Sequence, residues 1–136
     1  MSRHAHTNPM ATQRQRRVGK LLRRTLAEMI DDGSVKGADI PDIPVTVSEV
    51  HMSSDLKRAT VYVLPLGGDR TDEVVQALNT ERRQIRRILN GRVQLKRSPA
   101  LQFVGDPIFD QLDHMQRLFN RQDVLRDIAA PTAQDE

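Results

Sequence analysis

The sequence predicts an α+β domain in which helices cover one face of a three-stranded sheet. Apolar residues recur every three or four positions in some segments and every second position in others, and glycine and proline collect between those segments. The predicted order is helix, strand, strand, helix, kink, helix, strand, with one more helix at the C-terminus. Because 38% of the 136 residues are hydrophobic, the chain can form one domain with a modest core.

The first predicted element is a helix that begins at Gln13. Its apolar face is formed by Val18, Leu21, Leu22, Thr25, Leu26, Met29 and Ile30. Asp31, Asp32 and Gly33 end the helix. Residues 1–12 have no such period, so we expect a flexible N-terminal arm there, followed by a folded domain over residues 13–105.

Two strands follow a connector that contains two glycines and two prolines between Gly33 and Pro44. The first strand runs from Val45 to Met52, and the second from Ala59 to Leu64, because β-favouring side chains alternate in both segments. Residues 53–58 form the turn between them.

A helix, a kink and a second helix are predicted next. Thr71 is the expected N-cap, and Asp72 and Glu73 place negative charge in the first turn. The apolar stripe is interrupted at Glu81 and resumes at Ile85. The poor helix formers Asn79 and Thr80 lie at this interruption, and Thr80 is the predicted N-cap of the second helix. We expect the second helix to end or loosen at Asn90-Gly91.

The last part of the chain predicts a short strand and an amphipathic helix. The strand runs from Leu101 to Val104, and Asp106-Pro107 has the pattern of an N-cap followed by proline in the first helical position. The helix covers residues 106–120, and an acidic, disordered tail covers residues 121–136.

The residue types argue against an enzyme. The chain has no cysteine, its four histidines are scattered, and no glycine-rich segment matches a phosphate-binding loop. We therefore expect no catalytic residues, no metal site, no cofactor and no small-molecule substrate. No uncharged apolar run approaches the roughly 18 residues of a membrane span, so we expect no membrane association. The absence of cysteine agrees with a reducing compartment, and we expect a cytoplasmic protein.

The distribution of charge predicts a polyanionic partner. Residues 81–97 contain seven basic residues and one acidic residue, whereas residues 106–136 contain three basic and seven acidic ones. Arginine dominates the outer faces of the helices, and its guanidinium group suits bidentate contacts with phosphate. The candidate RNA-binding residues are Arg16, Lys20, Arg23 and Arg24 in the first helix, Lys57 and Arg58 at the turn, Arg82, Arg83, Arg86 and Arg87 after the kink, and Arg92, Lys96 and Arg97 before the last strand.

Three segments resemble the bacterial ribosome-binding factor A family. The central one is Ser53-Ser54-Asp55-Leu56-Lys57-Arg58-Ala59-Thr60-Val61-Tyr62-Val63, preceded by Val45 to Val50. The flanking ones are Arg14 to Val18 and Ser98 to Asp106. The resemblance implies a type II KH-like fold and a factor in late maturation of the 30S ribosomal subunit, which binds 16S rRNA near its 5′ end and in the neck and often contributes to cold adaptation. We expect the protein to act as a monomer.

This sequence departs from the family at the kink. The family usually has Ala-x-Gly there, and an ungapped placement puts that motif on Glu81-Arg82-Arg83. The Gly-x-x-Gly loop with which ordinary KH domains clamp single strands is also missing.

Two other functions remain as alternatives. In a protein-interaction module, the C-terminal amphipathic helix would bind a partner protein, and the arginines would serve solubility. In a hydrolase, His51 and Asp55 would be the reacting groups.

Overall fold

The computed structural model describes residues 11–37, 39–108, 115 and 118. Its elements are α1 (Gln13–Asp31), β1 (Val45–Met52), β2 (Arg58–Pro65), α2 (Thr71–Thr80), α3 (Arg82–Arg92) and β3 (Ala100–Gly105). The predicted α+β class and the order of these six elements are confirmed. The chain divides into two units, Met1–Asp106 and Pro107–Glu136, and the first unit contains all six elements.

The sheet is mixed and has the strand order β1-β2-β3. Strand β1 is antiparallel to β2, with a register shift between Val47 and Glu49, and β3 is parallel to β2. Because of that shift, the buried residues of the three strands fall in common rows, such as Val50, Val61 and Phe103. The helices supply the other side of this core through Leu22, Leu26, Met29, Val74, Leu78, Ile85 and Leu89. The predicted packing of the helices on one face of the sheet follows from this single core.

Helix α1 is fixed at its start by a capping box. The backbone N–H of Gln15 donates to the Thr12 hydroxyl over 3.1 Å, and the Thr12 N–H donates to the Gln15 side chain over 2.7 Å. The Gln15 amide also donates to the Met52 carbonyl over 3.0 Å, which ties the helix to the end of β1. Thr12 is therefore the helix cap, whereas the sequence places it in the arm.

Gly19 lets α1 approach β1 closely. A Cβ atom at this position would lie 2.5 Å from the carbonyl oxygen of Val50, which no side-chain carbon can do without a shift of backbone. The close approach explains why a glycine occupies the middle of a long helix despite its helix propensity.

The break between α2 and α3 falls at Glu81, one residue later than predicted. The Glu81 N–H donates to the carbonyls of Ala77 and Leu78 over 3.2 and 3.1 Å, and its backbone has φ −94° and ψ 9°. These angles are open to any residue, so the break forms without a glycine. The amide of Asn79 donates to the Phe103 carbonyl and accepts from the Phe103 N–H, both over 2.8 Å, which ties the end of α2 to the outer edge of β3.

Three local predictions around these helices are wrong. Arg70 rather than Thr71 is the N-cap of α2, because the Thr71 hydroxyl donates to the Gly68 carbonyl. Thr80 is the last residue of α2 and its hydroxyl donates back to the Gln76 carbonyl, so Glu81 is the N-cap of α3. Asn90 and Gly91 continue α3, which ends at Arg92.

Several predictions fall on parts of the chain that the structure leaves undescribed. The arm over residues 1–10, most of the helix predicted over residues 106–120, and the tail over residues 121–136 lie outside the described residues. The domain boundaries and the KH-like assignment stay predictions. Within the described part, no helix has the length and apolar character needed to cross a membrane.

Candidate nucleic-acid interface

Three grooves collect most of the predicted basic residues. We call the largest the sheet groove, because it is lined by residues of all three strands and of α3; its volume is about 700 Å³. The α1 groove, of about 190 Å³, lies between α1 and β1. The turn groove, of about 280 Å³, is lined by the β1–β2 turn, the start of α1 and the α3–β3 loop.

The sheet groove brings together four of the predicted arginines from distant parts of the chain. These are Arg58, Arg82, Arg83 and Arg86. No acidic side chain of the described chain lines this groove. Four guanidinium groups around one open groove produce a positive potential there, and this potential favours a phosphate-bearing ligand.

The α1 groove contains Arg16, Lys20 and Arg23, as the helical spacing predicts, but it also contains Glu49. The carboxylate of Glu49 lowers the positive potential of this surface relative to the sheet groove. The α1 groove is therefore the weaker of the two candidate phosphate sites.

The turn groove is lined by Lys96 and Arg97 together with Arg14, which is not among the candidate residues predicted from the sequence. On a helical wheel Arg14 lies far from Arg16 and Lys20, so the wheel gave no reason to include it. The α3–β3 loop returns to the start of α1 and brings the three cations to one groove. Arg24, Lys57, Arg87 and Arg92 are exposed and line none of the three grooves.

Two of the predicted RNA-binding arginines are held by hydrogen bonds inside the protein. Arg86 donates through Nε to the Ser98 hydroxyl over 2.6 Å and through Nη2 to the Ser98 carbonyl over 2.7 Å. Arg92 donates through Nη1 to the Asp32 carboxylate over 2.8 Å and through Nη2 to the Ser34 hydroxyl over 2.6 Å. Each of these guanidinium groups connects α3 to a loop, so it has less donor capacity for a ligand.

The remaining cations of α1 and α3 differ from these two. Within the described part of the chain, Lys20, Arg23, Arg82 and Arg83 form no ion pair or side-chain hydrogen bond. Their side chains are exposed. They can therefore bind phosphate without breaking a contact that the fold uses.

The turn between β1 and β2 is shaped by Asp55 and Leu56. The Asp55 carboxylate accepts from the Ser53 hydroxyl over 2.7 Å and from the Lys57 N–H over 3.0 Å. The bond from Ser53, followed by that from Lys57, lowers the pKa of Asp55. Leu56 has a φ of 60°, the left-handed conformation that non-glycine residues rarely adopt.

The arrangement gives little support to a hydrolase. His51 lines the sheet groove and the α1 groove, whereas Asp55 lines the turn groove, so the two residues share no groove. Within the described chain, no group of three or more histidine, aspartate, glutamate or cysteine residues could hold a metal ion.

An aromatic pair in the sheet groove was not anticipated from the sequence. The rings of His51 and Tyr62 form an edge-to-face pair, with 5.0 Å between ring centroids and an interplanar angle of 61°. Both residues lie on the face away from the core, because the neighbouring strand positions Val50, Met52, Val61 and Val63 are buried. Their contact requires the β1–β2 register, which alternation alone does not give.

The comparisons with known proteins agree on one family. The sequence model of the ribosome-binding factor A family matches residues 14–119. A ribosome-binding factor A of Cereibacter sphaeroides is 40% identical over 136 residues, which cover 100% of this chain and 99% of the relative. One of Ruegeria pomeroyi is 44% identical over 123 residues, covering 90% of this chain and 94% of the relative.

Solved structures of the same family share the fold. The crystal structure of ribosome-binding factor A from Thermus thermophilus is 26% identical and has a TM-score of 0.55, and the match covers 67% of this chain and 94% of that one. A second Thermus thermophilus structure, with 27% identity and a TM-score of 0.53, is a homology model fitted into a cryo-EM map of a complex with the 30S subunit; the match covers 65% of this chain and 91% of that one.

Proposed function

We propose, from the premise that this chain belongs to the ribosome-binding factor A family, that it is a non-catalytic assembly factor for the 30S ribosomal subunit. The related Thermus thermophilus factor was placed in a 30S complex, which supports the same partner here. The protein binds immature subunits and leaves when maturation is complete.

The finer parts of the proposal concern the RNA target. The chain acts as a cytoplasmic monomer, contacts 16S rRNA near its 5′ end and in the neck, and assists processing of that end, with a contribution to growth in the cold. The family membership is the support for these statements.

The observation that carries the proposal is the sheet groove. Arg82 and Arg83 stand at the start of α3, where the family usually has Ala-x-Gly, and their side chains line the same groove as Arg58. The break at Glu81 persists without the family glycine, so the two arginines add guanidinium donors to an intact scaffold. Backbone phosphates of folded rRNA are the ligands that fit such a surface.

Co-sedimentation with purified 30S subunits tests this proposal. We expect the wild-type protein to migrate with 30S and not with 50S subunits. The double variant Arg82→Glu with Arg83→Glu should bind 30S subunits at least about tenfold more weakly, because the charge reversal converts two phosphate contacts into repulsions. A matched control is Arg17→Glu with Lys36→Glu, which makes the same change in net charge at exposed residues that line none of the three grooves and, within the described chain, form no ion pair. Equal loss in both double variants would mean that net charge alone matters.

The rival function, a protein-interaction module, predicts a different result. Met115 and Leu118 are large apolar side chains with 51% and 44% of their surface exposed, which favours a protein partner for the C-terminal segment. Under our proposal, Met115→Glu with Leu118→Glu leaves 30S association within about twofold of wild type. Loss of association in this variant, with binding retained after reversal of Arg82 and Arg83, would support the rival.

A further inference from the structure

The part of the open sheet face that lines the sheet groove carries polar and aromatic side chains. The side chains in one row across it are His51, Thr60 and Gln102, which are register partners in β1, β2 and β3. Tyr62 follows Thr60 on the same face of β2. All four residues line the sheet groove together with the arginines of α3. The groove therefore joins an open sheet surface to a set of cations.

The edge-to-face contact orients both aromatic rings of this surface. The ring of Tyr62 packs against that of His51 with centroids 5.0 Å apart, and both side chains are only partly buried. Burial, followed by the charges of Asp106 and Glu49, raises the pKa of the Tyr62 hydroxyl, so the ring stays neutral at physiological pH. A neutral, oriented aromatic ring on an open sheet is a surface on which a nucleobase can stack.

The charges around the aromatic pair are unevenly placed. Arg58, Arg82 and Arg83 line the groove itself, whereas Glu49, the register partner of Tyr62 on β1, lines the α1 groove. A polyanion in the sheet groove is consequently attracted by these arginines and repelled by Glu49 and Asp106, the two carboxylates whose charges act on Tyr62. Within the described part of the chain, the side chains of Thr60 and Gln102 make no hydrogen bond, so their polar atoms can pair with base edges.

From this juxtaposition we infer that the open sheet face beside α3 binds an unpaired RNA segment, with a base stacked on the Tyr62–His51 pair and the adjoining phosphates on Arg82 and Arg83. The inference rests on the proposed function and specifies one contact of it. A duplex would present only its backbone and groove edges, because its bases are already stacked on each other. The aromatic pair selects a looped-out or single-stranded segment.

The emission of Tyr62 tests the stacking directly. The chain has one tyrosine and no tryptophan, so intrinsic emission of the full-length protein reports on this ring alone. We expect quenching when a short oligouridylate is added, and no quenching with a backbone of the same length that lacks the bases. A free tyrosine amide in the same solutions corrects for absorption by the RNA. Binding of oligouridylate without a change in emission, or no binding at low salt, overturns the inference.

Substitution of the same residue gives an independent result. Tyr62→Leu removes the ring, whereas the control Tyr62→Phe keeps the ring and removes only the hydroxyl. We expect Tyr62→Leu to weaken oligouridylate binding by about 5- to 100-fold, the usual loss for one stacked base, and to leave binding of the base-free backbone unchanged. Equal affinity of the two variants for oligouridylate overturns the inference. The inference is also overturned if Tyr62→Leu loses binding to the backbone that lacks the bases.

Failure of this inference is distinguishable from failure of the proposed function. If wild type binds 30S subunits through Arg82 and Arg83 while Tyr62 is neither quenched nor required, the assembly factor stands and the stacking site is wrong. If wild type does not bind 30S subunits at all, the proposed function is wrong. Should Tyr62→Leu fail to fold, the emission of the wild-type protein still decides the matter.

Discussion

Helices α1 and α3 have similar sequences on their outer faces, but their arginines and lysines are used differently. On α1, Lys20 and Arg23 are exposed and form no ion pair or side-chain hydrogen bond within the described chain. On α3, Arg86 and Arg92 donate hydrogen bonds to loop residues. Arg82 and Arg83 are exposed and, like Lys20 and Arg23, form no ion pair or side-chain hydrogen bond within the described chain. A basic helix face can therefore mix residues that hold the fold with residues available to a ligand.

The two helices also contain glycine for different reasons. Gly19 of α1 lies against the Val50 carbonyl of β1, so a side chain there is excluded by backbone. Gly91 lies in the last turn of α3, and nothing in the described structure lies within 4 Å of a Cβ built there. The first glycine is required by packing, and the second is tolerated in the helix without a packing role.

Exchange of each glycine for alanine gives the largest expected difference between the helices. Gly19→Ala should destabilise the protein by about 1–3 kcal/mol, because α1 must move away from β1 and the overpacking outweighs the gain in helix propensity. Gly91→Ala should stabilise it by about 0.5–1 kcal/mol. Urea unfolding followed by circular dichroism measures both changes. A stabilising Gly19→Ala would show that the close approach is absent in solution.

Removal of single arginines separates the structural from the available guanidinium groups of α3. Arg86→Ala should lower the free energy of unfolding by about 1–2 kcal/mol, because it removes two charge-assisted hydrogen bonds to Ser98. Arg87→Ala, at the next position and exposed, should change it by no more than about 0.5 kcal/mol. Equal effects in thermal unfolding would contradict the assignment of Arg86 to the fold.

The smallest effect concerns the contact between the end of α3 and the end of α1. Hydrogen bonds from Ser34 and then from Arg92 lower the pKa of Asp32 from 3.8 to about 2. A carboxylate whose folded pKa is depressed stabilises the fold above its unfolded pKa, and this contribution is lost as the pH falls from about 4 through about 2. Ser34→Ala removes the main cause, so NMR titration of the Asp32 carboxyl should give a pKa closer to 3.8. An unchanged pKa would contradict the hydrogen bond from the Ser34 hydroxyl to Asp32.

Much of the fold could be predicted from the sequence because periodicity reports burial. Alternation in Val45–Met52 and in residues 59–64 identified both strands, and the three- and four-residue steps identified α1. The helix caps were less predictable, because a threonine hydroxyl has several local acceptors. The Thr71 hydroxyl donates to the Gly68 carbonyl and the Thr80 hydroxyl to the Gln76 carbonyl, although threonine is a residue type that favours helix N-caps.

The candidate interface was only partly predictable, because its geometry depends on contacts between residues far apart in sequence. Arg92 and Asp32 are 60 positions apart, so nothing local distinguishes Arg92 from Arg87. Arg14 joins Lys96 and Arg97 only after the α3–β3 loop has folded back. The charge pattern predicts a phosphate-bearing ligand, and the tertiary fold determines which of the basic residues lie exposed around a common groove.

The salt dependence of 30S binding tests the central claim most directly, because each phosphate contact steepens the decline of affinity with salt by about 0.7–0.9 in a double-logarithmic plot. Two matched double variants are compared with wild type: Arg82→Gln with Arg83→Gln, and Arg86→Gln with Arg92→Gln. We predict that the first pair flattens the slope by about 1.4–1.8 and that the second leaves it nearly unchanged. Equal flattening by both pairs, or none by the first, would contradict the division of α3 into ligand-binding and fold-holding arginines.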